Sequence, residues 1–456
     1  MREVKRVLML TLVAVFIVSI LYMGTSCKAE EEEPAAEEPV AEEPAEEEPA
    51  EEEPAAEEEE AEPVTISWWH IQTEESQKEY WQDLADRFMA ENPNVTIEIT
   101  VMENENFKAK MTTVMQTGEV PDLFQSWGGG TMNAQVEAGL LKDITEQLAE
   151  DGFADTISAG ALGVYSYEGK NYGVPRDMGM VGVFYNTELF DQAGVTAPIA
   201  TFSDLLDAVD TFNDAGITPI AEGGGDKWPA AFSWEYLATR IGGEAAFKAA
   251  YDRTGSFTDE PFIEAGNKLI ELVDADAYQD GFLGATWGDA ATAMGNGEAA
   301  MNCMGQWGPG SYKENSADGT GLEGKLGWFK FPEVEGGAGR PTDALGGGNG
   351  FVVGKDAPDE AVDFLKFMLS VEEQNTQTEM GMGVPVVKGA TVEDPVLKQI
   401  VEGRDEAEYL QLYYDQYLPP ATGGVVNDAV QAILAKSMTP EEACQMIEDS
   451  AAAELE

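Results

Sequence analysis

The chain has 456 residues and a formal net charge of −60, with 86 acidic residues against 26 basic ones. So acidic a protein has nothing with which to neutralise phosphates, which excludes nucleic acid as a partner. A single histidine, His70, excludes a His-rich metal site, and the residues point to no metal and no cofactor. Acidity of this degree fits a soluble protein outside the cytoplasm, but it does not define function.

Arg2, Lys5 and Arg6 precede an apolar run from Val7 to Tyr22, and small residues then lead to Cys27. This is the pattern of a secretory signal peptide over residues 1–27, too short for a comfortable membrane span. Gly24-Thr-Ser-Cys27 resembles a bacterial lipoprotein cleavage site, with Gly24 where Leu is usual, which makes Cys27 the expected lipidation residue. An uncleaved anchor helix is the alternative, and it leaves the rest of the chain on the same side of the membrane. Residues 28–63 hold nineteen Glu and no aromatic side chain, so they are expected to stay solvated as a tether. Pro34, Pro39, Pro44, Pro49 and Pro54 forbid a continuous helix. At about 3.1 Å per residue the tether would reach on the order of 100 Å.

The remainder, from Val64 on, is long enough for two medium domains. Val64, Ile66 and Trp68 alternate with polar residues as in a half-buried strand. Ser76 with Glu79 reads as a capping box ahead of Tyr80, Leu84 and Phe88 at helical spacing. Val95, Ile97, Ile99 and Val101 form a second strand, and Phe107, Met111 and Met115 mark a helix stopping at Gly118. Pro121-Asp122 then leads into a short strand at Leu123-Phe124. Strand alternating with helix is the rhythm of an open α/β sheet.

The rhythm returns with strands at Val181 to Tyr185, Leu326 to Phe331 and Phe351 to Val353. Helices are expected from Thr201 to before Gly216, over Pro261 to Ala275 and over Pro358 to Ser370. A last helix opens at Thr439-Pro440 with Glu442 completing its cap. Two α/β lobes is the economical reading. Cys303 lies in the apolar run Ala299 to Met304 and reads as a buried small hydrophobe; a disulfide with Cys444 is permitted but not specified.

Tryptophans fall on the loops that follow strands. Trp68-Trp69-His70 ends the first, Trp127 precedes Gly128-Gly129-Gly130, Trp228 follows a Gly-rich loop, and Trp287 and Trp307 each precede glycine. Ligands of open α/β sheets bind beyond the carboxyl ends of strands. Indole faces with Asn, Gln, Asp and Lys nearby suit sugars, whose C–H faces stack and whose hydroxyls need polar partners. Trp68 continues the core-facing alternation and Trp69 points the other way, which makes Trp69 the better ligand candidate. Trp81 and Trp234 lie in helical patterns and read as packing residues. The three glycines at 128–130 lack the lysine and spacing of a phosphate loop.

The segments Ile66-Ser-Trp-Trp-His70, Gly118-Glu-Val-Pro-Asp-Leu-Phe-Gln-Ser-Trp-Gly128, Tyr172-Gly-Val-Pro with Phe184-Tyr-Asn186, and Gly295-Asn-Gly-Glu-Ala-Ala-Met301 with Gly305-Gln-Trp307 occur in this order. Leu345-Gly-Gly-Gly-Asn-Gly350 and Glu379-Met-Gly-Met-Gly-Val-Pro385 come after them. Together they resemble the extracytoplasmic solute-binding proteins of carbohydrate ABC transporters, the group similar to maltose-binding protein, across all of Val64 to Glu456. The resemblance implies a type II periplasmic-binding-protein fold with two α/β lobes, three crossing segments and a sugar held between lobes that close by a hinge motion.

By position the crossings would lie near Asp177 to Val181, Phe329 to Phe331 and Gly381 to Pro385. Lobe one would be 64–178 plus 330–380, and lobe two 179–329 plus 381–456. Trp69, Trp228 and Trp307 are the expected stacking platforms. His70, Gln125, Asp177, Lys227 and Asn349 are expected hydroxyl partners, with Trp127 and Glu74 after them. Asp177 has an alternative as a hinge residue, and Lys227 as a solvated cation.

The implied protein is a lipid-anchored, monomeric sugar or oligosaccharide receptor on the periplasmic or cell-surface side, serving ABC permease subunits and catalysing nothing. A secreted carbohydrate-active hydrolase is the first rival; it needs two carboxyls about 5–5.5 Å or 6.5–9.5 Å apart, and Glu74, Asp177 and Asp226 are the residues available to it. A polyamine or cation receptor is the second. It needs several carboxylates on the cleft loops, whereas the acids of the sequence concentrate in helices and the tether.

Overall fold

The computed structural model describes residues 62–455. The signal segment with Cys27, and the tether up to residue 61, lie outside the described residues. Among those described, no helix is long and apolar enough to cross a membrane.

The first sheet has five strands in the order Val95–Val101, Val64–His70, Leu123–Ser126, Gly350–Val353 and Gly173–Pro175. The first three run parallel and the returning Gly350–Val353 is antiparallel to both of its neighbours. Both faces are covered. On one, Ile66 and Trp68 pack against Tyr80, Trp81 and Phe88 of helix Glu75–Glu91 and Phe364 of helix Glu360–Met368. Trp68 is fully buried, with the rings of Trp81, Phe351 and Phe364 at 5.4, 5.4 and 5.2 Å. Truncating such a side chain typically costs about 3–5 kcal/mol. On the other face, Phe124 and Val352 pack against Phe107 and Met111 of helix Asn104–Thr117. That helix is capped by the Glu103 carboxylate, which accepts the N–H groups of Glu105 and Asn106, and it ends at Gly118 with φ 75°.

The helix expected after Ser76 begins one residue earlier, at Glu75. Its cap residue Glu74 makes no side-chain cap bond, so the Ser76–Glu79 box does not form. Ser76 instead donates from its N–H and hydroxyl to Glu314. The box expected at Thr439 with Glu442 is present, and Thr201, expected to open a helix, forms another with Asp204.

The second sheet has four strands in the order Leu326–Phe329, Gly182–Asn186, Ala299–Met304 and Thr218–Ile220. Its core includes Phe184, Trp234, Tyr236, Leu269 and the C-terminal helices Pro420–Leu434 and Pro440–Glu454. Cys303 and Cys444 are both buried and free, so the permitted disulfide is not formed. Burial raises both thiols, Cys444 to about 12, which leaves them unreactive.

Three chain segments run side by side between the two sheets. The Arg176 N–H donates to the Asn349 carbonyl at 2.7 Å, Met178 to Val384 at 3.3 Å and Val181 to Leu345 at 2.8 Å. A small sheet of Leu410–Leu412, Ala344–Gly347 and Gly179–Met180 continues this junction. The segment after Phe329 still packs with the second sheet, since Phe331, Val334, Ala344 and Leu345 belong to its core. Met382, Val386 and Val387 belong to the first core, and Val384 to the second. Gly348 has no alternative here, because a Cβ would lie 1.8 Å from the Asp177 carbonyl oxygen.

Candidate functional site

A cavity of about 750 Å³ opens where strands of both sheets end. Gln72 and Glu74 follow the first strand, Glu103 and Lys108 the second, and Trp127 the third. From the second sheet come Asp226 and Trp228, with Trp287 and Trp307 beside them. This is the crevice beyond the carboxyl ends of strands that α/β sheets offer to ligands.

Three tryptophans of that wall share one local position, each at the start of a helix. Trp228 opens helix Trp228–Tyr251 ahead of Pro229, Trp287 opens helix Trp287–Gly295, and Trp307 caps helix Gly308–Asn315. Trp228 lies centrally, with ring centroids 6.0 Å from Trp287 and 6.1 Å from Trp307. Trp127 comes from the first-sheet side. Its indole N–H donates to Asn349 Oδ1 at 3.1 Å, and Lys108 Nζ lies 5.5 Å from its ring centroid.

Of the ten residues expected at the site, Glu74, Trp127, Trp228, Trp307 and Asn349 line this cavity. Gln125 sits one layer behind, its amide nitrogen donating to Asn349 Oδ1 at 3.1 Å. Asp177 is buried at the crossing junction. Its carboxylate accepts from Arg176 Nη2 at 2.6 Å, Gln306 Nε2 at 2.9 Å and the Asn349 N–H at 2.9 Å. His70 is buried beneath the cavity floor, 4.8 Å from Trp68 between ring centroids, and its Nδ1 accepts the Gln72 N–H. Trp69 is not among the residues that line the cavity and packs on the cluster of Phe107 and Met111, with Lys110 Nζ 5.9 Å from its ring centroid. Lys227, held at φ 68°, turns its amine to Asp428 at 2.6 Å.

Sequence reasoning missed Lys108, Ser311, Glu314, Tyr413 and Asp415 as cavity residues, and it left Arg176 outside the ten expected contacts. The helix-start position of Trp228 and Trp307 was a signal that would have added Trp287.

The charge of the cavity is lopsided. Carboxylates of Glu74, Glu75, Glu103, Asp226, Glu314 and Asp415 line it, against Lys108 and Arg176. The acids are thus not confined to outward helix faces and the tether, as the sequence implied. Burial works against the Lys108 charge, but Asp415 and Glu105 outweigh it and hold its pKa up. Burial first, and then the fields of Glu103 and Asp289, push the Asp226 carboxyl up, although the Trp287 N–H donates to its Oδ2 at 2.7 Å. Among the described residues no three His, Cys, Asp or Glu side chains are grouped to hold a metal ion.

Two pairs of side chains meet across the mouth of the cavity. Ser311 Oγ donates to Glu74 Oε1 at 3.1 Å, and Ser76 Oγ to Glu314 Oε2 at 2.9 Å.

Two buried groups near the site set opposing pH trends. Burial lifts Glu222 from 4.5 to about 8, with the Gly223 N–H bond pulling the other way. Between those values the folded state holds a proton that the unfolded state has lost, so this carboxyl makes stability fall as pH rises from 4.5 to 8. Burial, then the Arg176 charge, lowers His70 from 6.5 to about 3. Here the unfolded state binds the extra proton, so stability falls as pH drops from 6.5 to 3. Glu222→Gln is expected to flatten the alkaline limb of a urea-denaturation series. The gain over wild type at pH 9 has an upper bound of about 5 kcal/mol, and parallel curves for the two proteins would refute the assignment.

A two-lobed α/β molecule with crossing strands and a cavity between its sheets defines the solute-binding class of proteins. Residues 73–375 match the bacterial extracellular solute-binding protein family, and the chain belongs to it. An uncharacterised ABC transporter extracellular-binding protein of Pyrococcus horikoshii is 26% identical over 356 residues, covering 75% of this chain and 76% of the relative. The multiple sugar-binding protein of Streptococcus mutans is 23% identical over 332 residues, 66% of this chain and 70% of the relative. Among solved structures, one from work on xylan utilisation by Caldanaerobius polysaccharolyticus superposes with a TM-score of 0.79. It is 32% identical and covers 84% of this chain and 99% of its own.

Proposed function

We propose that the protein is an extracytoplasmic sugar or oligosaccharide receptor that captures its ligand between two lobes, closes on it and delivers it to ABC permease subunits, without bond chemistry. The observation that carries this reading is the wall of Trp228, Trp287 and Trp307 in one cavity with Trp127 and Asn349. Indole faces there suit pyranose C–H faces, and the polar rim suits hydroxyls. The family membership and the sugar-binding name of the Streptococcus mutans relative support it.

The proposed contacts are Trp127, Trp228, Trp287, Trp307, Glu74, Asn349 and Asp226. Asp177, Gln125 and His70 position these from behind. The lobes are taken as the two core clusters, with the return crossing at Gly346 to Gly350 rather than Phe329 to Phe331. Delivery from a monomer lipidated at Cys27 and held on the acidic tether completes the proposal; mass spectrometry of the mature N-terminus should find a diacylated cysteine, and an unmodified Cys27 would rule the anchor out.

The hydrolase reading loses Asp177, whose carboxylate is tied to Arg176 at the junction. The cation-receptor reading gains the six cavity carboxylates. Titrating intrinsic tryptophan fluorescence with mono- and oligosaccharides, and with spermidine, separates the three readings. Saturable quenching or enhancement by a saccharide without its cleavage is expected. A response to spermidine with none to any sugar would overturn the proposal, and sustained sugar release would favour the hydrolase.

A further inference from the structure

We infer that the cavity discriminates by ligand charge: it admits neutral and amino-bearing saccharides and turns away saccharides that carry a carboxylate. The inference rests on the proposed saccharide function and goes on to specify which saccharides.

Both cations of the cavity are already balanced by protein groups. Arg176 Nη2 lies 2.6 Å from Asp177 Oδ2, and both side chains are more than nine-tenths buried. Its Nε has no partner, but its charge is matched. Lys108 Nζ lies 3.3 Å from Glu105 and 3.5 Å from Asp415. A ligand carboxylate would therefore find no uncompensated cation, and at most a hydrogen bond from Arg176 Nε, whose charge Asp177 already balances.

The unpartnered groups of the cavity include the donors Trp228 Nε1 and Arg176 Nε and the Tyr413 hydroxyl, so the discrimination rests on charge and on the acceptors that stand beside them. Asp226 receives the Trp287 N–H on Oδ2, while Oδ1 has no partner among the described residues. Gln72 is 6% exposed, lines the cavity, and its carbonyl oxygen Oε1 is buried with no partner. An unpaired buried acceptor calls for a donor from the ligand. Sugar hydroxyls supply one, an ammonium group supplies a stronger one, and a carboxylate supplies none. Glu103 and Asp226 also raise the cost of any negative charge brought between the Trp127 and Trp228 walls, since like charges in a partly desolvated site repel strongly.

Glu103 and Asp226 are accordingly the specificity-determining residues. Glu103 has a second role in capping its helix through Glu105 and Asn106, so the amide is the right replacement there because it keeps an acceptor oxygen.

The test is calorimetric titration of the full chain at low salt with matched pairs: xylotriose and its glucuronic-acid-substituted form, and the trimer of N-acetylglucosamine and its fully deacetylated form. For any pair whose neutral member binds, the acidic partner is expected at least tenfold weaker and the amino partner no weaker than about threefold. Raising the salt should narrow the neutral-to-acidic gap. In the variant Asp226→Asn/Glu103→Gln that gap should shrink by at least threefold, read as a ratio so that a general loss of affinity cancels.

An acidic saccharide binding as tightly as its neutral partner, or a gap unmoved by the double variant, would overturn the charge inference while leaving the sugar receptor standing. Binding of no saccharide from either pair or from the wider panel would end both readings together.

Discussion

Arg240→Met should lower the free energy of unfolding by about 3–5 kcal/mol, read from urea denaturation followed by circular dichroism. Arg240 is fully buried in the second core. Its guanidinium donates to five backbone carbonyls: Phe331 at 2.9 Å, Pro332 at 3.2 Å, Arg340 at 3.0 Å, Pro341 at 3.3 Å and Asp343 at 2.5 Å. All five belong to the irregular segment that leads back to the crossing junction. That stretch has few strand partners of its own, so its carbonyls depend on this one side chain. Methionine keeps much of the stem volume but removes every donor. Arg240→Lys should also lose about 2 kcal/mol, because one ammonium cannot reach five acceptors. A change below about 1 kcal/mol in the methionine variant would show that water replaces the guanidinium there.

Trp228→Ala should weaken saccharide binding by roughly 100-fold, which corresponds to about 2.7 kcal/mol. Its ring is central in the aromatic wall, with Phe232 at 5.5 Å as well as Trp287 and Trp307. Central aromatic anchors dominate binding energy in well-packed sites. Trp69→Ala provides the contrast. That ring packs on helix Asn104–Thr117 outside the cavity, so its removal should cost stability and leave affinity within about twofold. Equal affinity losses in the two variants would mean that Trp228 acts on the fold and not on the ligand.

The difference between these tryptophans shows how far local pattern reaches. Alternation along Val64–His70 correctly turned Trp68 toward the core and Trp69 the other way. It could not say what covers the second face, which is a helix roughly forty residues further along the chain and not a ligand cleft. His70 fails for a related reason, since a position at a strand end says nothing about the rings of Trp68 and Trp81 packed over it. The Thr201 and Thr439 capping boxes were legible because they are closed within four residues. The Ser76 box looked equivalent, but Glu314, 238 positions away, takes the hydroxyl. Lys108, Asp415 and Glu314 were invisible as site residues because they reach the cavity from elements whose mutual placement is decided by the crossing junction. The aromatic loops stood out because a tryptophan at a helix start after a strand has little local reason to be there.

The bonds across the cavity mouth have an energetic consequence of their own. Glu74 with Ser311 and Ser76 with Glu314 join the two sides without any ligand atom taking part. If each is worth about 1 kcal/mol net, they favour closure over opening by a common factor whether or not a sugar is bound. A receptor with such clasps reaches its closed form before ligand arrives for a larger fraction of the time, and apparent affinity rises in proportion to that fraction. The same clasps oppose release. A permease that empties this receptor works against that same factor, roughly 30-fold for about 2 kcal/mol, and contacts of its own to Ser76, Glu314 or their neighbours would offset it.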